Sequence, residues 1–166
     1  MTANTLENWA NFFVTSAEVS ATLAGLVIVA VSVNIQQIMK YRQLPPRASS
    51  TVTALMLAVV VGLVALIPQP VWAFALETFG TSVVALVILL VCTREVVVEH
   101  LKDGRPVVEL VVGLPGGPIA ALGCTIGGAW LWSGHAAGLY CIAASIIVAL
   151  VFAVMNAWVF LIEVLR

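Results

Sequence analysis

Charge is what this sequence has least of. Only 9% of its 166 residues are Asp, Glu, Lys or Arg, where an average soluble domain carries about 25%. Hydrophobic residues make up 62%. A soluble fold has no interior large enough to hide that much apolar surface, so lipid must cover part of it. The net charge of −1 excludes a polybasic tail and gives no reason to expect a nucleic-acid partner. Cysteine is sparse: Cys92, Cys124 and Cys141 have no metal-ligand spacing and form no even-numbered framework, and they read as small buried apolar residues. Histidine is sparser still, with His100 and His135 expected on opposite sides of a membrane, which rules out a bis-histidine haem pair within one chain. There is no His-Glu-x-x-His, no Gly-x-Ser-x-Gly and no Gly-x-x-x-x-Gly-Lys. No catalytic residue, metal site or cofactor is therefore expected, and the chain does not read as an enzyme. The opening MTANTLENWANFF lacks the basic region of a secretory signal peptide.

What is present is a series of long apolar runs. The expected fold is an all-α integral membrane protein, a single transmembrane domain over 1–166. It has five helices, at about 11–39, 48–67, 71–98, 106–132 and 136–166. Each is long enough for a hydrocarbon core of about 30 Å, which takes about 20 residues. The Pro68-Gln69-Pro70 turn ends the second run, since proline cannot continue a helix ladder.

Direction follows from the basic residues. Lys40, Arg42, Arg47, Arg94, Lys102, Arg105 and Arg166 all fall on one side of a five-span chain. The rule that cytoplasmic loops are enriched in Lys and Arg then places the N-terminus outside and the C-terminus in the cytoplasm. Trp9, Trp72, Trp130 and Trp132 fall at the outer interface and Trp158 toward the inner one, the pattern of an aromatic belt.

Several features could carry function. Ala17, Ala21 and Gly25 recur at four-residue spacing on the first span, and Gly123 and Gly127 do so on the fourth. Small residues at that spacing let helix backbones approach closely in lipid, within one subunit or between subunits. Glu18 lies roughly 33 Å before Lys40 along a helix, and Glu77 about 25 Å before Arg94. That puts both acids in or near the outer leaflet, where no Lys or Arg is at hand and His135 is the nearest titratable residue. Ionisable groups within spans are costly and tend to face a cavity or a partner. Either these two reach headgroup water, or they form an acidic vestibule or a protonatable pair; a homo-oligomer would turn either into a ring. Asn34 and Asn156 share a depth near the inner end, suited to hydrogen bonds across helices or to lining a polar conduit. Glu18, Glu77, Asn34 and Asn156 together form the candidate ion pathway.

The fourth run contains VVGLPGGPIAALG. Pro115 and Pro118 lack a donor, and Gly113, Gly116 and Gly117 bring no side chain to hold a helix. An interruption is expected over 113–118. Freed backbone groups in lipid cost several kcal/mol each, so such a break is buried in protein or faces water. It is either a packing kink or a binding site of the kind interrupted helices make in transporters.

The stretch WANFF followed by SATLAGLVIVAVSVN, with the loop LPPR and the turn PQP, resembles the first part of a group of small bacterial multi-pass membrane proteins. The likeness covers about the first 70 residues. It implies a bacterial inner-membrane location and carries over no site residues. Three functions remain open from the sequence: a homo-oligomeric pore or passive conduit for a small cation or proton; a non-conducting accessory or scaffold subunit of a larger membrane complex; and a small dimeric transporter with its site at the broken fourth helix. The partners expected are the lipid bilayer and further copies of the chain.

Overall fold

A computed structural model of the chain describes residues 4–39, 44–102 and 116–160. The described residues are helical apart from short turns, with no strand among them. A single turn, α1 (Asn4–Glu7), precedes α2 (Ala10–Val33) and the short α3 (Ile35–Ile38). Four more helices follow: α4 (Leu44–Ala65), α5 (Val71–Lys102), α6 (Gly116–Trp132) and α7 (Ala137–Trp158). Four of them are long and apolar enough to cross a membrane: α2, α4, α5 over Val71–Val98, and α7. The described residues are thus all-helical, with the long apolar helices of a multi-pass membrane protein.

The helix boundaries have local causes. The first run does not continue unbroken to 39: it turns at Asn34 and resumes as α3. The backbone bonds from Asn34 N to Ala30 O and from Ile38 N to Asn34 O nevertheless keep α2 and α3 in line. The second helix starts four residues earlier than the apolar pattern suggests, with Pro45 and Pro46 in its first turn. A proline there forfeits no hydrogen bond, because the first N–H groups of a helix have no intrahelical partner. At its far end, Gln69 of the PQP turn donates Nε2 to Val64 O at 3.1 Å, a carbonyl that also accepts from Ile67 N at 3.2 Å. Helix α6 ends in a Schellman motif. Gly134 N bonds Leu131 O and His135 N bonds Trp130 O, both at 3.0 Å. Gly134 takes the left-handed φ of 86° that this motif needs.

Helix α4 is the middle of the bundle. It packs against α2 and α5 along its length and also touches α6 and α7. Around it, α5 packs on α6, α6 on α7, and α7 on α2. The main core joins Phe13, Phe74, Leu89, Leu139, Ile142 and Ile146, each nearly inaccessible to solvent. Glycine sets the closest approaches. A Cβ on Gly62 would stand 2.9 Å from both Phe13 O and Ala17 Cβ, and one on Gly128 would stand 3.0 Å from Phe79 N. These glycines let α4 lie against α2, and α6 against α5, nearly backbone to backbone.

Candidate functional site

The two candidate asparagines sit at one end of the bundle, both buried. Asn156 is held on both sides. It accepts from Arg47 Nε at 2.8 Å, and its Nδ2 donates to Thr51 Oγ1 at 3.0 Å. Thr51 in turn donates to Arg47 O at 3.0 Å. Asn34 donates to Ala30 O at 3.2 Å and to Phe160 O at 3.4 Å, where the end of α7 widens into a π-type turn. These bonds join α7 to α4 and to α2 at the same level. Both amide ends of Asn156 are engaged, so it ties helices together.

Glu77 lies at the other end, on the first turns of α5, and is exposed. Its Oε2 accepts from Gln69 Nε2 at 2.9 Å, the same nitrogen that bonds Val64 O. A turn residue, rather than His135, is therefore its hydrogen-bond donor. His135 is exposed in the α6–α7 turn. Aromatics gather at this end. Trp9 meets Tyr140 edge-on with centroids 4.9 Å apart, and Phe13 meets Phe74 at 5.7 Å. Trp72, Trp130 and Trp132 are exposed beside the two turns. Glu18 and Glu77 stand on helices that each pack on α4 from different sides.

Gly113 and Pro115 lie outside the described residues. Gly116, Gly117 and Pro118 form the first turn of α6. A Cβ on Gly116 would collide with the ring of Phe152, and one on Gly117 would meet Leu89 Cδ2 at 3.1 Å and Ser50 Oγ at 3.2 Å. The glycine pair thus seats the start of α6 against α7, α5 and α4. Gly123 and Gly127 face α7: a Cβ on the first would strike Ser145 Oγ, and one on the second would stand 2.7 Å from Ile142 Cγ1. Of the stripe on α2, Ala17 faces Gly62 inside the bundle, whereas Ala21 and Gly25 are exposed, and nothing lies within 4 Å of a Cβ built on Gly25.

The outward face of the first long helix differs from those of α6 and α7. Asn11, Thr15, Glu18, Thr22, Gly25, Val29, Ser32 and, on α3, Gln36 are all exposed. They recur in alternating steps of four and three, the spacing of any outward helix face, and six of the eight are polar. Apolar residues flank them, with Val14, Ala21 and Ile28 on one side and Val19, Leu26 and Val33 on the other. The exposed face of α7 has no such stripe: Tyr140, Ala144, Ile147, Val148, Val151, Val154, Met155 and Trp158. The exposed face of α6 reads Ile119, Leu122, Ile126 and Trp130. Those two faces are apolar throughout, as a surface suited to lipid is. A carboxylate and a line of hydroxyls are not suited to it, because hydrocarbon offers them neither charge stabilisation nor hydrogen bonds.

Two hydroxyls of the stripe have a fixed polarity. Thr22 Oγ1 donates to Glu18 O at 2.8 Å, and Ser32 Oγ donates to Ile28 O at 2.7 Å. Each hydrogen is spent on its own helix, so what these residues present outward is lone pairs. Thr81 repeats this on α5, donating to Glu77 O at 2.7 Å, so each membrane acid has a threonine one turn below it.

Reading small residues alone along the first span finds Ala17, Ala21 and Gly25 but misses Thr15, Thr22 and Ser32. The available signal was the run of polar residues Asn11, Thr15, Glu18 and Thr22 on one helix face; it is hard to see in sequence because Ser16 and Ser20, on the buried side, are just as polar. Comparison of the chain with protein-family models, curated proteins and solved structures finds no match.

Proposed function

We propose that this chain is the subunit of a homo-oligomeric membrane conduit that passes a small cation or a proton without energy coupling. The observation that carries this reading is the polar stripe on α2. A face bearing Glu18 and several hydroxyls is stable at membrane depth only against water or protein. A path for ions is the arrangement that supplies water along its whole length.

In this reading α2, α4, α5, α6 and α7 are five spans. The end holding Trp9, Trp72 and Trp132 is outside, and the end holding Arg47 and Asn156 faces the cytoplasm. At the start of α6, Phe152, Ser50 and Leu89 fill the space beside Gly116 and Gly117, which supports a packing role for these two glycines over a transport site at them. Asn34 and Asn156 brace the inner end, and Glu18 stands on the path.

Flux into liposomes tests the function. Purified protein is expected to pass alkali cations or protons well above the rate of a Glu18→Gln, Glu77→Gln double variant. Flux equal to that of protein-free vesicles sinks the reading.

A further inference from the structure

We draw no further inference here: the strongest candidate, the pair of buried hydroxyls of Ser20 on α2 and Thr78 on α5, neither of which has a hydrogen-bond partner among the described residues, carries nothing because nothing in the structure joins the two into one site or says what chemistry would complete it.

Discussion

Asn156 shows how much one polar residue can organise in lipid. It is buried, and it takes a hydrogen bond from Arg47 while giving one to Thr51. Removing it leaves a guanidinium nitrogen and a threonine oxygen without those partners, which costs more than the bonds themselves contribute. Asn156→Ala is expected to destabilise the bundle by about 1–3 kcal/mol, measured by unfolding in mixed detergent micelles. A loss below about 0.3 kcal/mol would mean the network does not hold α7 to α4. Glu77 is a useful contrast. Its partner Gln69 is a neighbour across an exposed turn, so Glu77→Gln is expected to change stability by no more than about 0.5 kcal/mol. The sequence placed Asn34 and Asn156 at one depth, and the structure adds which groups they reach. It could not show that Gln69 would serve Glu77, because that depends on how the PQP turn folds back over the end of α4.

At the level of helices, glycine decides which faces can meet. Gly62 lies where a methyl group would press on Phe13 O and Ala17 Cβ, and backbone cannot move aside as a flexible side chain can. Gly62→Ala is expected to separate α2 from α4 at a cost of about 1–3 kcal/mol. Gly25→Ala meets nothing and is expected to leave stability unchanged or to raise it by about 0.5–1 kcal/mol in a helix interior. The same micelle unfolding assay separates the two, and equal effects would contradict the packing of α2 described here. Both glycines look alike in sequence. The apolar runs and the Pro-Gln-Pro stop were legible because their causes are local: hydrophobic length and a missing donor. The break at Asn34 was not, since the apolar pattern continues across it and its side chain bonds a carbonyl on another helix.

For the molecule as a whole, the question is orientation and company. Serine 133 lies in the short turn between α6 and α7, on the tryptophan-rich end. With the native cysteines replaced, Ser133→Cys is expected to react with a membrane-impermeant thiol reagent added outside intact cells. Labelling only after permeabilisation would reverse the proposed orientation. The conduit reading puts the outward face of α2 on the path, and the apolar outward faces of α6 and α7 are expected to stay in lipid.

Composition alone determined the class of this protein, because 62% hydrophobic residues with 9% charge cannot fold away from lipid. The lengths of the runs and their punctuation determined the helices, because hydrogen bonding within a helix and its termination are local. The sense of each residue was decided only by tertiary structure. On α2, Ser16, Ser20 and Ala17 are buried in the bundle, while Thr15, Glu18 and Thr22 are exposed. A helix in lipid has no polar solvent to mark its outside, so the sequence cannot label the two faces; the packing of the other helices does.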